Sequence, residues 1–456
     1  MNLIYYLIIL ALLVAIAWFA GRRKAERLAD SVPLHSRPAY YGMLTAMWCG
    51  IPALLIYAIW LAFEPAIISG IILDGLPARL YAASQGETGL LLNDILNVAH
   101  GNVQGSDPAI RRAAAHYTEL VSLSHAALGV CMLSVAMAGM ALLGRRITPE
   151  LRARNHVEKI ISAVLMLCST IAIFTTVGIV LSVLFESIRF FRVVPVHEFL
   201  SGLKWSPQMA IRSDQAGSSG AFGAVPVLAG TVMISAIAML IAVPTGLMSA
   251  IYLSEYAGKR VRNVVKPLLE ILAGIPTVVY GFFAALVVAP FVRDMGVMTG
   301  LDVSSESALA AGLVMGIMII PFVSSLSDDV INAVPQTMRD GSLALGATVS
   351  ETVKKVVIPA ALPGIVGGVL LAVSRAIGET MIVVMAAGLS AELTANPLKA
   401  VTTVTVQIVT LLVGDQEFDS PKTLAAFALG LLLFVLTLML NIIALQIVKK
   451  YREQYE

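Results

Sequence analysis

Two ionisable residues, Arg375 and Glu379, stand inside an apolar run of the sequence that extends from Ala361 to Ala387. An ionised side chain at the centre of a membrane-spanning helix costs about 2.5 to 3.5 kcal/mol, so its presence needs a function or a partner. A guanidinium can bind a tetrahedral oxyanion through two parallel hydrogen bonds, whereas a bare carboxylate repels one. Arg375 and Glu379 are therefore candidate residues of an anion pathway.

The spacing of these two residues predicts that they act together. In a continuous helix, residues four positions apart lie on one face and can pair, and Gly378 would let a neighbouring helix or an ion approach that face. Our hypothesis is that Glu379 neutralises Arg375 while the pathway is empty, and that a passing anion competes for the guanidinium. The alternative is a structural clamp that ties this helix to its neighbours.

A second group of residues is defined by small side chains at fixed spacing. Asp340, Gly341 and Ser342 are followed by Gly346, by nine further residues, and then by an aliphatic run that ends at Pro359. Small side chains allow a short helix to pack closely, and glycine allows the backbone turn that ends it. A proline near the start of the next helix loses no hydrogen bond. The segment 339–359 therefore predicts a helix–turn element between two spans.

The composition indicates that these groups belong to a membrane protein. The chain has 456 residues, of which 58% are hydrophobic and 13% are charged, against roughly 25% charged residues in soluble domains. Its apolar residues fall in about nine runs of the length needed to cross a bilayer, about 18 or more residues. The sequence thus predicts an all-α polytopic membrane protein and excludes a water-soluble one.

Basic residues set the expected orientation of these spans. Lys and Arg cluster in alternate loops and at the C-terminus, and such clusters favour the cytoplasm. We expect the N-terminus outside, the C-terminus inside, and a bacterial cytoplasmic (inner) membrane location. The loops 64–119 and 189–220 would be extracytoplasmic, the first with an amphipathic stretch at 90–98.

No residue pattern predicts catalysis or metal binding. The histidines lack metal-ligand spacing, and no nucleophile or carboxylate pair has a supporting context. The three cysteines, at Cys49, Cys131 and Cys168, lie in apolar runs without the spacing of zinc or redox sites, and we expect them to be small core residues. The sequence has no Walker phosphate loop, so any ATP would be bound by another subunit.

The 339–359 segment resembles the EAA loop of binding-protein-dependent ABC importer permeases. Its spacing matches throughout, although Asp340, Gly341 and Ser342 replace the usual Glu-Ala-Ala. The resemblance implies that Asp340, Gly341, Ser342, Gly346 and Pro359 couple the chain to an ATPase subunit. It also implies a six-helix type I importer (MetI-like) core.

Three other stretches resemble the phosphate transport permeases. They run from Gly230 to Glu255, from Leu272 to Gly281, and from Ser374 to Met381, and the last two are similar to PstC-type subunits more than to PstA-type ones. The resemblance covers residues 222–448 well and is weaker before residue 160. It implies a high-affinity phosphate importer with a PstA-type permease, a PstB-type ATPase dimer that binds ATP and Mg, and a PstS-type extracytoplasmic phosphate-binding protein.

The expected domain organisation follows from the number of spans. Residues 1–159 would form an extension of about three spans, and residues 160–456 the six-span core. The chain itself would not be an enzyme and would bind no cofactor, its other contacts being with membrane lipid. Two alternatives stay open: a permease for another oxyanion, such as molybdate or sulfate, and a membrane scaffold that signals the state of a transporter.

Overall fold

A computed structural model of the chain describes residues 3–76, 88–101, 107–209, 219–413 and 420–452. Within these ranges the secondary structure is helical apart from one two-stranded hairpin. Nine helices of the described part are long and apolar enough to cross a membrane. The expected all-α polytopic class and the expected number of spans are therefore confirmed.

The chain forms two compact units, Met1–Phe174 and Thr175–Glu456. The division between them falls inside the fourth span, whereas the sequence placed a domain boundary at 159/160, near the start of that span. The 159/160 boundary stays a prediction.

The first unit contains three membrane-length helices, one shorter helix and the first part of a fourth span. They are α1 (Leu3–Ala29), α2 (Pro38–Asp74), α3 (Thr88–Ala99), α4 (Pro108–Arg146) and the beginning of α5 (Ala153–Phe191). Side chains of α1, α2 and α4 share one core that includes Leu10, Cys49 and Met132. The unit is therefore a bundle built around these three helices.

Much of the segment expected to be the loop 64–119 is helical instead. The helix α2 continues to Asp74, and α4 already begins at Pro108, where the side chain of Asp107 accepts a hydrogen bond from the Ala109 amide and caps the helix. The amphipathic stretch at 90–98 lies in α3, whose Leu91 and Ile95 are buried. Apolar positions on all three helices give α3 a core to pack on, so helices extend into this segment. Residues 77–87 and 102–106 of it lie outside the described residues.

The cysteine prediction holds for one residue only. Cys49 is buried, but Cys131 and Cys168 are exposed on the surfaces of α4 and α5. In a membrane protein, an apolar run marks contact with lipid as readily as contact with a core, so the sequence pattern did not separate the two.

The second unit contains the rest of α5 and twelve further helices of the described chain. These helices are α6 (Val196–Ser201), α7 (Val225–Ile251), α8 (Lys259–Ala273), α9 (Thr277–Phe283), α10 (Ala289–Met298), α11 (Ala308–Ala333), α12 (Gln336–Ala344), α13 (Val349–Thr352), α14 (Ile358–Ile377), α15 (Met381–Ala386), α16 (Val404–Leu412) and α17 (Pro421–Arg452). Three π-helical segments continue α7, join α9 to α10, and join α13 to α14: Tyr252–Tyr256, Ala284–Val288 and Val353–Val357.

The core of the second unit is centred on α7 and α11. A side chain at Gly246 of α7 would place its Cβ 2.9 Å from the Cβ of Val323 on α11, closer than such atoms approach in proteins. Glycine therefore allows the two backbones to pack tightly. Of the nine spans, α11 is the most buried, and its polar end carries the charged residues described below.

Two apolar runs of the sequence do not form single continuous helices. The run from Leu268 to Phe291, whose length predicts one span, is interrupted after α8 at 274–276, and the span begins at Thr277 instead. Pro276 disfavours helical geometry at the residue before it, which explains this break. The run expected from Ala361 to Ala387 ends its helix at Ile377, with Gly378 as the C-terminal cap.

The hairpin lies between α6 and α7. Its strands are β1 (Trp205–Met209) and β2 (Ser219–Phe222), which pair antiparallel with Trp205 opposite Phe222. The Trp205 indole Nε1 donates a hydrogen bond of 2.8 Å to Oε1 of Gln407 on α16. This bond and the buried Trp205 and Phe222 rings attach the hairpin to the helical core.

Candidate functional site

Arg375 lies in the last turn of α14 and has no carboxylate partner among the described residues. Its guanidinium carbon lies 5.4 Å from the centroid of the Phe322 ring on α11, a cation–π contact. The side chain is exposed and lines a cavity of about 280 Å³. Arg375 therefore presents a positive charge to this cavity.

Glu379 does not pair with Arg375. It lies beyond the end of α14, where its Oε1 accepts a hydrogen bond of 3.1 Å from the Met381 amide at the start of α15. Its carbonyl oxygen accepts a bond of 2.8 Å from the Thr405 hydroxyl. The expected pairing assumed one continuous helix, but the chain leaves the helix at Gly378, so the four-residue spacing no longer places both residues on one face.

Gly378 also has a different role from the one expected. A Cβ at this position would meet only carbonyl oxygens of its own turn, at 3.6 and 3.7 Å. No described residue of a neighbouring helix therefore makes use of the missing side chain, and Gly378 serves to end α14.

The cavity next to Arg375 contains a charged network that the sequence reasoning missed. Its centre is Asp328 on α11, which is only 3% exposed. One guanidinium nitrogen of Arg262 donates to both Asp328 oxygens, at 3.1 and 3.0 Å, and the Lys266 ammonium donates at 2.8 Å. The Asn332 amide adds a bond of 2.9 Å. This buried carboxylate is thus surrounded by donors, as a buried charge must be.

The network also changes the ionisation of Lys266, which lies on α8 outside the spans. Its hydrogen bond to Asp328 raises the pKa of Lys266, partial burial opposes this rise, and the negative charge of Asp328 adds to it. Lys266 therefore stays cationic at physiological pH. Together with Arg262 and Arg375, it gives the cavity region three positive charges against the negative charges of Asp328 and Glu270.

Two signals in the sequence could have located this network. Asp328 and Asp329 interrupt an apolar run near its end, and Arg262 and Lys266 are four residues apart, on one face of a helix. By their charge alone, these basic residues predict only a cytoplasmic loop. Their contact with Asp328 joins residues more than sixty positions apart, which spacing along the chain does not reveal.

The segment 339–359 forms the predicted helix–turn element. The helix α12 ends near Gly346, which has φ +88°, a left-handed conformation that favours glycine. After the turn, Thr348 and Glu351 form a capping box that starts α13. Pro359 lies in the first turn of α14, as expected. The backbone geometry of the turn is therefore confirmed, whereas its coupling role stays a prediction.

The small residues of this element are arranged differently from the expectation. Nothing lies within 4 Å of a Cβ built at Gly341, so no described residue of this chain packs closely there. The Ser342 hydroxyl lies 3.0 Å from the Thr352 hydroxyl and links α12 to α13. Asp340 is exposed and accepts a hydrogen bond of 3.0 Å from the Gln336 amide. The open side of α12 at Gly341 is thus free of contacts with the described residues.

Apolar side chains surround the tip of the turn. Leu345 is 91% exposed, and its neighbours Leu343 and Val349 are also exposed. Contiguous exposed apolar side chains outside a membrane often mark a contact surface. The tip therefore has the character of a docking surface.

Arg339 connects α12 to the ends of two spans. One of its nitrogens lies 2.8 Å from a carboxylate oxygen of Glu255, in the π-helical segment after α7, and the two side chains are only 14% and 10% exposed. Another nitrogen donates 2.6 Å to the Ile331 carbonyl near the end of α11. A displacement of α12 would therefore act directly on α7 and α11.

Two family models match the chain. The model described as binding-protein-dependent transport system inner membrane component matches residues 242–453. The model described as phosphate ATP-binding cassette transporter matches residues 7–175. The second match covers the region where the sequence resemblance was weak, so the N-terminal spans also have relatives among such transporters.

Individual relatives agree with these matches. A probable ABC transporter permease protein, YqgH of Bacillus subtilis, is 32% identical over 272 residues, which are 59% of this chain and 84% of that protein. The phosphate transport system permease protein PstC of Mesorhizobium japonicum is 34% identical over 264 residues, or 54% of this chain and 76% of that protein. The solved structure of a bacterial alginate ABC transporter is 15% identical and covers 64% of this chain and 96% of that chain, with a TM-score of 0.44, too low for a comparison of helix positions.

The matched relatives, the nine spans and the helix–turn element at 339–359 agree with one another. The chain therefore belongs to the PstC-type permeases of the binding-protein-dependent ABC transporter family.

Proposed function

We propose that this chain is a permease subunit of an ATP-driven, high-affinity phosphate importer in the bacterial inner membrane. The observation that carries the proposal is the Arg375 guanidinium, which lines a cavity in a PstC-type core without a carboxylate partner among the described residues. A guanidinium fork matches the oxygens of a tetrahedral anion. The names of the relatives supply the choice of phosphate.

In this proposal, phosphate passes the cavity lined by Arg375, Lys266 and the Ser324 hydroxyl. Arg375 attracts the anion, and Arg262 with Lys266 keeps Asp328 neutralised, so that this carboxylate does not repel phosphate. Glu379 holds the connection between α14 and α15 through its bond to the Met381 amide, and in this way it positions the end of the helix that carries Arg375.

The partners we propose follow from the family. A PstA-type permease completes the pathway, a PstB-type ATPase dimer binds ATP and Mg, and a PstS-type protein delivers phosphate outside. The segment 339–359 contacts the ATPase through Asp340, Gly341, Ser342, Gly346 and Pro359. The open side of α12 and the exposed Leu345 support a docking role for this segment, and the Arg339–Glu255 ion pair supports force transfer to the spans. The proposed orientation has the N-terminus outside and the C-terminus in the cytoplasm.

The experiment that tests the proposal is uptake of labelled phosphate by proteoliposomes that contain the assembled transporter, with ATP inside. We expect ATP-dependent uptake that unlabelled phosphate competes away and that equal concentrations of sulfate or molybdate leave nearly unchanged. Stronger competition by sulfate or molybdate would assign the permease to another oxyanion. Absence of ATP-dependent uptake of all three anions, in an assembly that hydrolyses ATP, would refute the importer function.

A further inference from the structure

A carboxylate of the first unit has no adequate partner within the described chain. Glu64 was expected in a loop but lies inside α2, and its side chain is only 9% exposed. Its Oε1 is buried and accepts no hydrogen bond from the described residues. Nε2 of His125, on α4, lies 3.6 Å from Oε1, beyond the length of an ordinary hydrogen bond. The Glu64 carboxylate therefore has capacity for another donor.

Glu64 lines an otherwise apolar groove between α2 and α4, which we call the Glu64 groove. It has a volume of about 560 Å³, and Ile59, Phe63, Leu123 and Ala127 contribute to its walls. Among its lining residues only Glu64 is charged. The Trp60 indole Nε1 donates a hydrogen bond of 2.8 Å to the Ser124 hydroxyl, and neither group bonds to Oε1 of Glu64.

The position of the groove along its helices indicates its depth in the membrane. Arg145 and Arg146 end α4, and such residues mark the level of the lipid headgroups. His125 precedes Arg145 by 20 residues, or about 30 Å of helix, which is about the thickness of the hydrocarbon layer. The Glu64 carboxylate therefore lies near the headgroups of the leaflet opposite these arginines.

We propose that the Glu64 groove binds a phospholipid whose headgroup carries a primary ammonium. The ammonium supplies N–H donors and a positive charge to Glu64 at headgroup depth, while an acyl chain follows Phe63, Ile59 and Ala127 towards the membrane centre. A membrane helix of a partner protein could bond to Glu64 only through a polar side chain, because its backbone N–H groups are bonded within the helix. This inference does not depend on the anion that the permease transports.

The test uses the quenching of Trp60 fluorescence by brominated acyl chains. The full chain is placed in phosphatidylglycerol nanodiscs that contain a minor fraction of brominated phosphatidylethanolamine, phosphatidylcholine or phosphatidylglycerol. The signal of Trp60 is the difference between the wild type and Trp60→Phe. We expect the phosphatidylethanolamine probe to bind in the groove with about two- to tenfold higher affinity than either other probe. This is the ratio of affinities that one net hydrogen bond gives. Phosphatidylcholine isolates the hydrogen bond, since its ammonium has no N–H donor.

Two variants connect this preference to the groove. Glu64→Gln removes the charge at nearly constant size and should abolish the preference, whereas Glu119→Gln, an exposed carboxylate on α4, should keep it. Ala127→Phe narrows the groove and should lower quenching by all three probes while Glu64 stays intact. Equal quenching by the three probes in the wild type, or a preference that survives Glu64→Gln, would overturn the proposal. The proposal would also be overturned if no brominated lipid quenched Trp60 in the assembled transporter, because a partner protein would then cover the groove.

Discussion

Arg375 and Glu379 are close in sequence but make contacts with different helices. The guanidinium turns towards Phe322 and the cavity, while the carboxylate caps the following helix. A clamp function for Arg375 would have to act through the Phe322 ring, because no described carboxylate pairs with the guanidinium. The two roles can therefore be separated by substitution.

Replacing Arg375 with lysine should lower phosphate uptake about tenfold or more at equal membrane levels, because an ammonium keeps the charge but loses the two-pronged hydrogen bonding. Uptake of labelled phosphate by cells is the measurement. Glu379→Gln keeps an oxygen that can accept from the Met381 amide and should have a smaller effect.

Phe322→Leu is the control for a clamp, because it removes the ring under the guanidinium and leaves Arg375 in place. We expect near-normal uptake in this variant. Unimpaired uptake in both Arg375→Lys and Glu379→Gln would rule out the pathway role, and an effect of Phe322→Leu equal to that of Arg375→Lys would favour the clamp.

At the scale of elements, the turn at Gly346 joins α12 to the next span. Gly346 has a positive φ and an exposed position, whereas Gly341, five residues earlier, is helical with open space around it. Neither glycine has a described neighbour within 4 Å of the position that a Cβ would take. They differ in backbone conformation, which makes them a matched pair.

Gly346→Trp should separate ATP hydrolysis from uptake without preventing membrane insertion, because a bulky side chain strains the left-handed backbone and blocks the turn. The measurement is the ratio of phosphate transported to ATP hydrolysed by the reconstituted transporter. Gly341→Ala is the matched control. It introduces the alanine that is usual at this position of the EAA loop and favours the helix, so the ATPase contact and this ratio should stay unchanged. Normal coupling in Gly346→Trp would mean that the turn is not the joint.

The Arg339–Glu255 ion pair should hold α12 against the spans. Reversing either charge alone, in Arg339→Glu or Glu255→Arg, leaves a largely buried charge unpaired. In buried pairs this lowers the free energy of unfolding by about 3 to 5 kcal/mol. Each single variant should unfold at a lower temperature and couple poorly, and the double exchange should recover part of both properties. Thermal unfolding and the coupling ratio are the two readouts.

An exposed ion pair at the start of α5 provides the comparison. Nε of Arg154 and Oε1 of Glu158 lie 2.6 Å apart, with side chains 61% and 53% exposed, and such pairs contribute about 0 to 1 kcal/mol. Exchanging these two charges should change neither readout measurably. If the exchange at Arg339 and Glu255 had equally little effect, the pair would not transmit force.

At the scale of the molecule, the chain consists of two units with separate hydrophobic cores. The clusters around α7 and α11 belong to the second unit, and those of α1, α2 and α4 belong to the first. The second unit also contains the cavity and the segment 339–359. It therefore holds the residues that the proposed transport requires.

Deleting residues Met1 to Arg154 should leave ATP-dependent phosphate uptake measurable, because the hydrophobic cluster around α7 and α11 is built from residues of the second unit. Uptake and the expression of phosphate-responsive genes are measured separately in the same cells. Altered gene expression with uptake retained would assign the first unit a signalling role. Loss of uptake at normal membrane levels would show that transport requires the first unit.

The class of the protein, the number of spans and the turn at Gly346 could all be predicted from the sequence. These features depend on local properties, namely the length of apolar runs and the backbone freedom of single residues, which can be inferred without knowledge of distant contacts. The motif spacing at 339–359 likewise concerns residues close in the chain.

Which charged residues contact one another depends on where the helices end and how they pack. Whether Arg375 and Glu379 pair depended on where α14 ends, and the contacts of Asp328 and of Arg339 join residues far apart in sequence. The sequence predicts that Glu64 lies at the edge of a loop. In the structure α2 continues past it to Asp74, and the Glu64 carboxylate is buried. Apolar runs show that a helix is in the membrane, but a lipid-facing and a core-facing side chain have the same composition there, so packing alone distinguishes them.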